Sequence, residues 1–228
     1  MNLFDYLLQP QSWDGSDGIT QLLLQHLFYT AVSVAVAAVI AIPLGILIGH
    51  TGRGSFLVIG TSNAARAIPS LGLLVLVVLL LGTGSFPIIL VLAVLAIPSI
   101  LTATTAGIEG ADPDAVYSAR ALGMSGGQVI SQVEWPLALP LVISGLRSAT
   151  LQVVATATVA AYAAGGGLGQ LLIAGQRSND YGQTFAGAVM VALLAIVLDV
   201  VLGGLGLLVS RRTRPKRKIV AGTVPVPT

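Results

Sequence analysis

The sequence predicts an all-α, polytopic helical membrane protein of about five transmembrane helices. Three observations carry this: an apolar composition, five long apolar stretches and a one-sided distribution of basic residues. Of 228 residues, 55% are hydrophobic and only 9% charged, with a mean hydropathy of +0.92, whereas a soluble domain is about one quarter charged. Lipid is therefore the solvent for most of the chain. A helix crossing the bilayer core needs about 20 predominantly apolar residues, and the length accommodates about five such spans in one membrane domain. Cysteine is absent, which excludes disulfides, thiol catalysis and Cys-based metal sites.

Residues 1–21 read as an external N-terminal tail, polar and acidic (Asp5, Asp14, Asp17), with no lysine or arginine and no basic region of a cleavable signal. The membrane domain, 22–209, opens with a span at 22–49, whose inner end Pro43 and Gly45 are expected to bend. A short turn containing Arg53 leads to a second span at 56–81. That span is interrupted by NAARAIPS, where Asn63, Arg66, Pro69 and Ser70 would be costly against lipid and are expected to face protein or a cavity. A third span, 87–108, carries Pro98. Residues 109–136 hold Glu109, Asp112, Asp114, Arg120 and Glu134 without a long apolar run, so this stretch cannot span. The fourth span is 137–162, a glycine-rich loop with a short amphipathic segment follows, and the fifth span is 185–209. The basic tail, 210–228, contains Arg211, Arg212, Arg214, Lys216, Arg217 and Lys218.

Charge sets the expected orientation, because basic residues accumulate in cytoplasmic connections. With the N-terminus outside, the inner segments hold Arg53, Arg120 and the six tail residues, and the outer segments hold only Arg177. The prediction is N-terminus out, C-terminus cytoplasmic, with the 109–136 loop in the cytoplasm. A basic cluster directly after an apolar helix is a stop-transfer signal, beside which a nucleic-acid reading is weak.

The loop has an internal logic of its own. Asp112 and Pro113 suit a helix start, residues 114–122 read as one short helix, and Gly123 is a natural C-cap. Ser125 can cap a second helix, which Pro136 is expected to end as the chain re-enters the membrane. The result is a compact two-helix knob.

This stretch resembles the cytoplasmic signature of ABC importer permeases: Glu-Ala-Ala, three residues, Gly, nine residues, then Ile-x-Leu-Pro. Here it reads Tyr117-Ser118-Ala119, Gly123 and Val133-Glu134-Trp135-Pro136, with the spacing matched in full. Tyr117 and Ser118 replace the family's glutamate and first alanine, and Trp135 replaces its leucine. The resemblance, which runs from about Leu27 to Val209, implies a type I importer fold in which the knob docks on an ABC ATPase subunit. It also implies an extracytoplasmic substrate-binding protein and a second permease copy or paralogue. HLFYTAVSVAVAAVIAIPLGILIG, AIPSLGLLVLVVLLLGTG and ATVAAYAAGGGLGQLLIAG are most similar to permeases for glycine betaine, carnitine, choline and related osmoprotectants. Import of amino acids such as methionine is the alternative, and a passive channel is the rival from another class. No Gly-x-x-x-x-Gly-Lys-Ser/Thr phosphate loop occurs, so no cofactor is expected on this chain, with ATP and Mg bound at the partner ATPase.

Asn63, Arg66, Pro69, Arg147, Tyr162 and Asp199 are the candidates for a pathway or gate, since polar groups inside a membrane often line one. Each also admits a structural reading. Arg66 and Arg147 can snorkel or bind carbonyls, Asp199 can pair with an arginine or be protonated, and Tyr162 can anchor at the interface or contact a quaternary amine. Gly165, Gly166, Gly167 and Gly169 lack the Lys-Ser pair of a phosphate cradle and read as a tight turn. His26 and His50 lie at opposite ends of the first span, too far apart to share a metal.

Overall fold

The computed structural model describes residues 3–56, 58, 60, 62 and 67–213, and every regular element among them is helical. In chain order these are α1 (Leu3–Leu8), a 3-10 turn (Pro10–Ser12), α2 (Ile19–Thr51), α3 (Ser70–Leu81), α4 (Ser85–Glu109), α5 (Pro113–Ala121), α6 (Gly126–Val129), a π turn (Ile130–Glu134), α7 (Trp135–Ala164), α8 (Gly169–Arg177) and α9 (Tyr181–Thr213). Among the described residues four helical bodies are long and apolar enough to cross a membrane: α2, α4, the continuous run Gly126–Ala163, and Tyr181–Ser210 of α9. The 33 residues of α2 measure about 50 Å at 1.5 Å per residue, so its ends stand beyond a hydrocarbon core of about 30 Å.

The expected second span falls partly outside the described residues, Asn63 and Arg66 among them. Its described helix, α3, has 12 residues, about 18 Å, which is too short to cross alone. Pro69 is its N-cap residue, because the proline ring pushes the preceding Ile68 away from helical geometry.

Helix α4 packs between α2 and α7, around a core that includes Tyr29, Ala37, Leu92, Ile100 and Val153. Small residues bring these helices close, as expected where packing rather than hydrophobic exclusion holds membrane helices together. A Cβ at Gly45 would lie 2.7 Å from Thr104 Cβ. A second core joins Ile19 and Leu22 of α2 to Leu168, Leu171 and Leu194, and Tyr6 and Leu7 pack on it. The segment expected as a tail is thus partly a docked helix: its polar stretch is flanked by LFDYLL, and Trp13 Nε1 donates to the Leu7 carbonyl at 2.8 Å.

Pro136 does not end a helix. The chain stays helical from Gly126 to Ala164, because the missing Pro136 N–H and the ring's crowding of the Gln132 carbonyl fall where the helix widens into a π turn, with Trp135 N–H donating to the Ile130 carbonyl. The second half of the knob and the fourth span are therefore one 38-residue body. Helix α9 likewise runs past the expected end of the fifth span to Thr213; residues 214–228 of the basic tail lie outside the described residues.

Candidate functional site

The 112–136 knob is built by three local devices. Asp112 caps α5, its Oδ1 accepting from the Asp114 N–H at 3.0 Å, with Pro113 at the first helical position. The helix closes on Gly123 at φ +83°, with Gly123 N–H donating to the Arg120 carbonyl at 2.9 Å and Met124 N–H to the Ala119 carbonyl at 3.2 Å. This pair of bonds is a Schellman ending, which needs a left-handed residue at that position. Ser125 then forms a capping box with Gln128, each side chain bonded to the other's backbone N–H.

Burial divides the knob into a seat and an outer surface. Ala119, Val129 and Glu134 are buried, whereas Tyr117 and Leu122 are 76% and 82% exposed. Ser118 and Gly123 share that open side, and Val133, Trp135 and Pro136 are partly covered where α7 begins. A polar tie anchors the knob to α2, where His50 Nδ1 at the helix end meets Glu134 Oε2 at 2.7 Å; just before the knob, the Ser55 hydroxyl donates to the carboxylate of Glu109, the last residue of α4. Arg53 and Arg120 consequently lie at one end of the bundle. Sequence reasoning marked Glu134 through its spacing but missed His50, for which no local signal exists.

At the opposite end the glycine turn 165–167 folds over α2. Leu168 N–H donates to His26 Nδ1 at 3.2 Å and Gly167 N–H to Gln25 Oε1 at 2.9 Å. With Nδ1 accepting, His26 Nε2 carries the hydrogen and binds the Val154 carbonyl at 3.2 Å. His26 is fully buried, and Gly167 has φ +65°, where a Cβ would sit tightly, 3.0 Å from His26 Nδ1. His26 is a second residue that its sequence context did not reveal.

On the open side between α7 and α9, Arg147 and Asp199 pair with each other. Arg147 Nε and an Nη each reach one oxygen of Asp199 at 2.5 Å, a two-pronged geometry that only arginine supplies. The pair ties α7 to α9 in a groove of 610 Å³. Tyr162 Oη donates to Gln176 Oε1 at 2.7 Å, joining α7 to α8. Pro69 stands at the start of α3, beside a hollow lined by Ser70 and Gln152. Asn63 and Arg66 lie outside the described residues.

Long apolar helices joined by a capped, water-exposed knob that carries the importer signature make a membrane permease subunit. Residues 41–215 match the family described as binding-protein-dependent transport system inner membrane component, and the chain belongs to that family. It is 34% identical over 192 residues to the glycine betaine/carnitine/choline transport system permease protein OpuCB of Bacillus subtilis, covering 84% of this chain and 87% of the relative. It is 32% identical over 204 residues to the osmoprotectant import permease protein OsmW of Salmonella typhimurium, covering 87% and 93%. The fold is similar to that of the MetNI methionine ABC transporter in an inward-facing conformation, with a TM-score of 0.71 at 23% identity over 86% of this chain and 96% of that one. The chain is a multi-pass cell-membrane protein and the permease component of an ABC importer.

Proposed function

We propose that this permease imports small quaternary-amine osmoprotectants of the glycine betaine, carnitine and choline class, driven by ATP hydrolysed on a separate ATPase subunit that grips the 112–136 knob. The observation that carries the coupling is the uneven burial of the knob: Ala119, Val129 and Glu134 are buried, whereas Tyr117 and Leu122 stand exposed. Two large exposed side chains beside a rigid turn suit a docking contact better than a solvated loop. The substrate class rests on the names of the curated relatives. In this reading the N-terminus is external and the knob cytoplasmic. A loaded binding protein docks outside, closure of the ATPase dimer around ATP and Mg moves the knobs, and the solute crosses between two permeases by alternating access.

The test is uptake of radiolabelled glycine betaine, and of methionine in parallel, by cells with and without this chain and with and without ATP depletion. ATP-dependent loss of glycine betaine uptake is expected on deletion. Loss of methionine uptake alone would overturn the substrate class, and loss of neither would overturn both. For coupling, Gly123→Asp and Gly123→Asn form a matched pair, since both side chains tolerate a left-handed backbone and a Cβ at 123 meets nothing within 4 Å. Gly123→Asp is expected to abolish uptake while inserting normally, through its charge on the docking surface, and Gly123→Asn to retain most of it.

A further inference from the structure

We propose that the open face of α7, with Ser99 of α4, is the wall along which the solute crosses the bilayer, a lining of neutral hydroxyl and amide groups at mid-helix that a second permease closes. This builds on the import reading above and assigns residues to the route. Ser144, Ser148, Gln152 and Thr156 recur every four residues, so they form one line along α7. Ser144 and Ser148 are exposed, and Gln152 and Thr156 are half-buried. From α4, Ser99 Oγ donates to Gln152 Oε1 at 3.1 Å, and Gln152 Nε2 donates to the Leu95 carbonyl at 3.2 Å, which holds the amide at the wall. Two adjoining hollows, of 430 Å³ and 260 Å³, share Ser99 and Ser148. The larger has the size of a small-molecule site.

The depth is central. Ser148 stands about 20 Å along α7, which is about 45 Å long, and Ser99 is past the midpoint of α4. Elsewhere the exposed faces are aliphatic and match lipid, with Leu44 and Leu47 on α2, Leu79 and Leu80 on α3, and Ile196 and Val197 on α9. A helix hydroxyl commonly ties back to its own helix's carbonyls, as Thr156 of this line does to Gln152. Ser144 and Ser148 make no hydrogen bond among the described residues, so water or a passing solute is the partner that satisfies them. Arg147, next to Ser148, adds no free charge to the wall because Asp199 holds it. A lining of dipoles without net charge suits a zwitterion or quaternary amine that must be released on the far side, since weak binding lets a solute leave.

The chain has no cysteine, so a single introduced thiol reports on its own position. Ser148→Cys and Ser99→Cys, with Leu205→Cys on the aliphatic face of α9 as control, are assembled in the complete transporter in membranes. They are treated with a methanethiosulfonate bearing a trimethylammonium group, and the cysteine-free chain sets the background from its partners. The reagent needs a thiolate, which forms only where water reaches. The expected result is labelling of Ser148→Cys and Ser99→Cys but not Leu205→Cys, with loss of uptake on labelling. Unreactive thiols at both wall positions, or labelling that leaves uptake intact, would overturn the wall. Labelling reads water access whatever the solute, so a mistaken substrate class would show instead as absent glycine betaine uptake with labelling unchanged.

Discussion

Glu134 is almost completely buried, and its carboxylate has His50 as its partner across the start of α7. A buried acceptor that loses its donor forfeits about 1–3 kcal/mol. Glu134→Ala and His50→Ala are each expected to lower the thermal midpoint of the detergent-solubilised protein, and the double variant to lose less than the sum, because residues in direct contact do not act independently. Full additivity would show that the two do not interact. Glu134 was legible in the sequence because it falls inside a spaced signature. His50 was not, because its partner is 84 residues away and nothing in the local pattern of α2 distinguishes a tethered histidine from a solvated one.

At the scale of elements, α6, the π turn and α7 form one continuous helical body, since no loop separates the knob's second half from the fourth span. That body is tied to α9 by Arg147 and Asp199, whose groups would each be an unpaired charge in the membrane without the other. Arg147→Ala and Asp199→Ala are each expected to reduce the amount of protein recovered in membranes several-fold. The exchange Arg147→Asp with Asp199→Arg is expected to recover part of it, read by immunoblot of membrane fractions. Equal abundance in the single variants would show that the pair does not hold α7 to α9. The capping residues Asp112, Gly123 and Ser125 were readable beforehand because caps are local chemistry. The role of Pro136 was misjudged because a proline reads as a stop, and only the widened turn before it lets the helix continue.

Across the whole molecule, Arg53 and Arg120 lie at one end of the bundle, with the turn 165–167 closing over His26 and Gln25 at the other. If the basic residues mark the cytoplasm, an alkaline phosphatase fused after Arg177 is active and one fused after Gly123 is silent, measured in intact cells. The reverse pattern would invert the topology. The sequence by itself determined the helical membrane class, most of the span order and the capped knob, because lipid demands apolar length and caps demand particular side chains within four residues. Only the tertiary structure decided that the N-terminal segment docks, that the knob and fourth span are continuous, that Arg147 and Asp199 neutralise each other, and that the hydroxyls of α7 meet Ser99 around an open hollow. These depend on which helix faces are brought together, and the physical reason they stay hidden is that a side chain's partner across a bundle leaves no trace in its neighbours along the chain.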